Sequence, residues 1–138
     1  MSIKWLFKVA GSVISFLVLV TPVMGDPILS VQPSSLNVAS GANFTVSVAV
    51  SGVTDLFAFQ FDLGFNPSVL KADGVTEGPF LASGGSTSFV PGAIDNVGGD
   101  VSNNADTLLT AISGVSGSGT LASFEFTALG SGSSSLDT

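Results

Sequence analysis

The sequence predicts an all-β fold, a sandwich of two sheets. Three observations carry the prediction. After Asp26, apolar and polar residues alternate one by one over short runs, the period of a half-buried strand. Clusters of Gly, Ser, Asn and Pro separate these runs. No stretch sustains an apolar period of 3.6 residues. The chain has 138 residues, one domain's length, and residues 26–138 suffice for one sandwich core.

Residues 1–25 read as a signal peptide. Lys4 and Lys8 give it a positive start, residues 9–20 are apolar, and Thr21 and Pro22 break the helix. Gly25 places a small residue before the expected cleavage site at Asp26. Residues 26–138 are then a secreted or cell-surface domain with no membrane segment. An uncleaved anchor is the alternative. Its uncharged run, 9–25, is at the lower limit of a membrane span, and Pro22 shortens the helical part.

The first strand is expected over 28–31, with 36–38 as its continuation beyond Pro33. Residues 39–43 form a turn. Residues 44–50 alternate cleanly, with Phe44, Val46, Val48 and Val50 on one face. Residues 51–55 are read as a turn. The most informative strand follows over 56–65. Phe57, Phe59, Phe61, Leu63 and Phe65 share one face; Ala58, Gln60, Asp62 and Gly64 share the other. Burying each ring contributes about 1.5–3 kcal/mol, so the Phe face is core.

Pro67 ends that strand, since it has no N–H for a ladder. Further strands are expected over 69–75, 87–90, 93–94 and 107–112. Residues 77–85 are a loop plugged by Phe80 and Leu81. Residues 95–106 read as a polar loop, and 113–119 as a Gly/Ser turn. Residues 120–129 alternate again, with Ala122, Phe124, Phe126 and Ala128 on one face. Residues 135–138 look like a strand just beginning.

Charge and composition exclude several functions. Past residue 25, Lys71 stands alone against all ten acids. Nothing there can neutralise phosphates, so nucleic acid is excluded as a partner. There is no Cys and no His. Cys–His and Ser–His nucleophile systems are therefore absent. A Ser–Lys system would need Lys71; Ser68 stands three residues before it in the spacing S-x-x-K, but across the turn and strand expected there. No acid pair sits in a recognisable motif. The expectation is a protein that is not an enzyme and has no resident cofactor.

Three binding chemistries deserve weighing. The 95–106 segment offers hard oxygen donors for Ca²⁺, with Asp95, Asn96 and Asp100 as candidate ligands. Its spacing is not that of an EF-hand, and Asp, Asn and Gly also simply make turns. Sugar platforms need exposed flat rings; past residue 25 there is no Trp or Tyr. Phe80 and Phe89 are the candidate stackers, with core plugs as the alternative. The small outward face of Ala58, Gln60 and Asp62 suits a flat protein interface, with a merely solvated face as the alternative.

The segment FTVSVAVSGVTDLFAFQFDLGFNPSVL, residues 44–70, resembles the N-terminal half of cohesin domains. Their "GFQF-x-L-x-Y-D-P-x-V-L" motif is matched from Ala58 to Leu70, with Ala58 for Gly, Phe65 for Tyr and Asn66 for Asp. The later segment Gly119-Thr120-Leu121-Ala122-Ser123-Phe124-Glu125-Phe126 is similar to the family's "G-x-L-A-x-I-x-F" strand. The two motifs agree in order and span nearly all of residues 28–138.

The resemblance implies a jelly-roll sandwich of nine strands, related to bacterial cellulose-binding modules. The family continues with strands past the point matching Thr138, so the chain is expected to lack its last strands. The resemblance also implies a non-catalytic binding module that meets a dockerin-like partner within complexes that degrade polysaccharide. Direct carbohydrate binding and a structural role beside exopolysaccharide are the alternatives. Dockerin-binding members often carry polar side chains where this chain has Ala58 and Gln60; Ala58 departs from that pattern.

Overall fold

The structure is a computed structural model that describes residues 26–138 and the backbone of Lys4–Phe7. Apart from those four residues, the expected leader lies outside the described residues. The strands are β1 (Lys4–Phe7), β2 (Ile28–Gln32), β3 (Asn43–Gly64), β4 (Leu70–Glu77), β5 (Ala93–Asp95), β6 (Asp100–Thr107) and β7 (Val115–Ala128). Among the described residues one short helix, α1 (Pro79–Ala82), interrupts them. Every pairing between strands is antiparallel.

The long strand β3 belongs to both layers. Its first half pairs with β7 on one side and β2 on the other, and β4 extends that layer beyond β7. Its second half pairs with β6 and β1, and β5 extends that layer beyond β6. The expected turn at 51–55 is thus corrected: the chain changes layer there without leaving the ladder. Gly52 and Asp55 adopt positive φ, 71° and 57°, as the register to β7 slips. Asp55 is stitched to the start of β7, its Oδ1 accepting from the Gly114 N–H at 2.6 Å and its N–H donating to Ser116 Oγ at 3.0 Å.

The core fills the space between the layers. Phe59, Phe61, Leu63 and Phe65 of the second half of β3 and its end are buried, as are Val46, Val48 and Val50 of the first. From β7 come Leu121, Phe124 and Phe126, all at most 1% exposed. Phe61 meets Phe124 at 6.0 Å between ring centroids, and Phe65 meets Phe126 edge-on at 5.3 Å. Phe57, expected inward, is only partly buried, because the bulge at Asp55 turns Leu56 into the core instead.

Three other expectations are corrected. Residues 95–106 are not a loop; they hold the end of β5, a tight turn and most of β6. Residues 107–112 are not a strand beyond Thr107, and β7 starts already at Val115. Residues 87–90 form only isolated bridges, Val90 to Ala105 of β6 and Thr87 to Leu108 just past its end. Near the C-terminus, Asp137 pairs with Gly64, exchanging both backbone hydrogen bonds, on the same edge of β3 that β1 occupies further along.

Candidate partner-binding face

The outer face of the β5–β6–β3 layer is built by register. Ala105 of β6 lies opposite Gln60 on one side and Val90 on the other, so the three point the same way. Thr107 lies opposite Ala58 in the next row. Val90 is half exposed. The side chains are small or uncharged at the centre, which leaves the face flat.

Polar contacts pin the lower part of the face. Gln60 Nε2 donates to Asn103 Oδ1 at 2.8 Å. The Asn103 N–H donates to Asp62 Oδ1 at 2.7 Å. Asn103 itself has positive φ, 60°, where the β3–β6 register slips. The structure therefore brings Gln60 and Asp62 together through Asn103, a residue the sequence did not single out. Ala58 is a correction: it occupies the outward register but is 8% exposed, flanked by the backbones of Thr107 and Leu6. It offers shape and no contact of its own.

An acidic corner adjoins the face. Asp100 is held above the usual carboxylate range by its burial and then by the charges of Asp62 and Asp95. Asp95 lies below that range because its Oδ1 accepts the N–H groups of Gly98 and Val97, both at 2.9 Å. That is turn chemistry. Asn96 is spoken for as well: its amide hydrogen-bonds the backbone of Ala72 in both directions. Of the candidate Ca²⁺ ligands, only Asp100 is left without a structural partner role. Among the described residues no three acidic side chains are arranged to hold a metal.

The candidate sugar stackers are placed otherwise than a platform requires. Phe80 is 8% exposed, its ring packed against Gly119 of β7 so closely that a Cβ there would meet it at 2.6 Å. Phe89 is partly buried and packs against the core. Both are the core plugs that the sequence offered as the alternative. Two buried polar side chains went unnoticed in the sequence. Asn104 and Asp106 point inward from β6, 0% and 1% exposed. Asn104 donates to the carbonyls of Val101 and Phe61 at 2.8 and 3.3 Å.

The two-layer antiparallel arrangement is a β-sandwich module of the jelly-roll type. The sequence matches the cohesin domain family over residues 29–138. The chain belongs to the cohesin family, whose modules are non-catalytic binding domains.

Solved structures from Acetivibrio cellulolyticus have the same fold. A type II cohesin in complex with an X-dockerin superposes with a TM-score of 0.57 at 15% identity, covering 78% of this chain and 73% of that one. The second type II cohesin module of the adaptor scaffoldin ScaA gives 0.58 at 14% identity, covering 80% and 68%. The sixth cohesin of scaffoldin B, in complex with a dockerin, gives 0.57 at 16% identity, covering 80% of each chain. No curated protein matches the sequence. Among the described residues no helix is long and apolar enough to cross a membrane.

Proposed function

We propose that this chain is a secreted or cell-surface recognition module that binds a dockerin-like protein through the outer face of the β5–β6–β3 layer. The observation that carries the reading is the row Gln60–Ala105–Val90: small, flat and partly apolar, with its polar neighbours already fixed by Asn103. A pre-ordered flat face loses little side-chain freedom when a partner docks. The structurally similar cohesins in complex with dockerins support the choice of partner class. The acidic corner of Asp62, Asp95 and Asp100 favours a partner that brings Lys or Arg to that end, since opposite charge there steers association. A role in a polysaccharide-degrading complex follows from the same partner class.

The test is a binding measurement with a panel of dockerin modules. Gln60→Arg combined with Asp62→Arg lowers affinity at least about tenfold for a dockerin that binds, because two bulky cations break the flat surface. The circular dichroism and melting of the variant stay those of the parent. Unchanged affinity with an intact fold places the interface elsewhere. Retention of the parent on insoluble polysaccharide, with no dockerin bound, replaces this reading by direct carbohydrate binding.

A further inference from the structure

Asp106 lies on the inner side of β6, opposite Phe59 of β3, and is 1% exposed. Its Oδ1 accepts the Thr107 N–H at 2.8 Å. No group among the described residues donates to Oδ2. What faces it is a second acceptor, the carboxylate of Glu77 at the end of β4. Glu77 Oε1 in turn accepts the Thr87 hydroxyl at 2.5 Å.

These three residues come from three parts of the fold. Glu77 belongs to the β4–β7 layer and Asp106 to the β6–β3 layer. Thr87 belongs to the connection between them, residues 78–92. No cation of residues 26–138 is free to neutralise the pair, because Lys71 is bound to Asp73. Opposite Asp106 on β3 stands Phe59, β4 presents Glu77 as the ionisable group, and Thr87 of the connection holds Glu77.

A buried carboxylate and a second one at its mouth repel each other as anions. One proton between them converts the repulsion into a charge-assisted O–H···O⁻ hydrogen bond. That proton supplies the partner that Asp106 Oδ2 lacks.

We propose that Asp106, Glu77 and Thr87 form a proton-bridged clasp that fastens the 78–92 connection across the two layers in mildly acidic medium and releases it as pH rises. The carboxyl of Asp106 is pushed up to about 6, by burial foremost and by Glu77, with the Thr107 N–H opposing. The folded value is thus raised above the ordinary 3.8. The sign follows: the clasp is closed below the ordinary value and is lost as pH climbs through about 6. Its consequence reaches the outer face. Ser88 and Val90 donate their N–H groups to the Thr107 and Ala105 carbonyls of β6, and Val90 ends the Gln60–Ala105–Val90 row.

Amide hydrogen exchange on the full chain, corrected for the pH dependence of intrinsic exchange, reads this without any partner. Protection of Ser88 and Val90 is expected to fall by about thirtyfold between pH 4.5 and 7.5, the factor that corresponds to the interval from pH 4.5 to the folded value of about 6. In Asp106→Asn the amide donates to Glu77 at every pH, so protection is high and flat. Glu77→Gln, at an exposed position, shrinks the fall should the first variant fold poorly, because the charge of Glu77 is gone while the burial of Asp106 remains. A flat profile in the parent, or an unchanged fall in both variants, overturns the clasp. Millimolar Ca²⁺ at pH 7.5 is the remaining control. Restored protection means that a metal and not a proton bridges the pair, which also overturns it.

Discussion

Asn96 hydrogen-bonds Ala72 as a strand residue would. Its Oδ1 accepts the Ala72 N–H at 2.7 Å and its Nδ2 donates to the Ala72 carbonyl at 3.0 Å. Ala72 lies on β4, whose other side is paired to β7. One side chain from the β5–β6 turn therefore closes the free edge of the opposite layer. This contact helps curl the sandwich toward a barrel. It also removes Asn96 from any cation site.

Asn96→Ala leaves both backbone groups of Ala72 without their partner, so a loss of about 1–3 kcal/mol is expected. Asn96→Asp keeps the acceptor and loses the donor, setting a carboxylate against a carbonyl. It should be no better than Ala. Urea unfolding checks both, and an unchanged midpoint for Asn96→Ala would show that the link carries no stability.

Neighbouring residues on β3 test the face assignment. Phe61 is 1% exposed and packs on Phe59 and Phe124, whereas Gln60 points outward. Phe61→Ala removes a ring from a closed core and should cost about 3–5 kcal/mol. Gln60→Ala loses a surface hydrogen bond to Asn103 and should stay within about 0.5 kcal/mol. Comparable losses at the two positions would mean that the strand is in the wrong register, since a slip of one residue exchanges the faces.

The strands with strict alternation were legible, and those with polar residues inside were not. Phe59, Phe61, Leu63 and Phe65 point inward as their period of two requires. So do Phe124 and Phe126, and the motifs around them carried the family resemblance. Residues 100–107 hid a strand because two of their inward positions are Asn104 and Asp106, which satisfy the pattern of a loop. The layer change at 51–55 hid because Gly52 and Asp55 make a turn elsewhere and a bulge here. Which of those it is depends on β7, sixty residues away along the chain, and no local rule sees that far. For the candidate face, Gln60 and Asp62 were legible from alternation. Asn103, which ties them together, depends on the β3–β6 register.

Acid should destabilise the protein through a different set of groups from alkali. Asp73 is held below the ordinary carboxylate value by its hydrogen bonds to Lys71 and Thr127, and Asp95 by the N–H groups of Gly98 and Val97. Groups with lowered values contribute stability above the ordinary 3.8, and that contribution fades as pH falls through the folded value. Asp106 works in the opposite sense and is lost through about 6. The urea midpoint is expected to peak between these limits. Asp95→Asn keeps an acceptor for the turn, so it should flatten the acid limb while leaving the midpoint at neutral pH nearly unchanged. A maximum well above pH 7 would contradict the raised value of Asp106.

The last prediction concerns the edge of β3 from Leu56 to Gln60. There the partner is β1, with Lys4 opposite Gln60 and Leu6 opposite Ala58. β7 reaches β3 as far as Leu56, opposite Val115, and Asp137 pairs with Gly64; between them, among the described residues, only β1 pairs with residues 58–60 on the side away from β6. A chain starting at Asp26 therefore presents unpaired N–H and C=O groups beside a hydrophobic core, a template for another strand. It should associate with increasing concentration in sedimentation, while the full chain associates less. A synthetic peptide covering residues 2–9, added in excess, should suppress the association by adding a strand to the edge. Should the shortened chain stay monomeric, with the amides along Leu56 to Gln60 as protected as before, the edge has another cover and the pairing with β1 is dispensable.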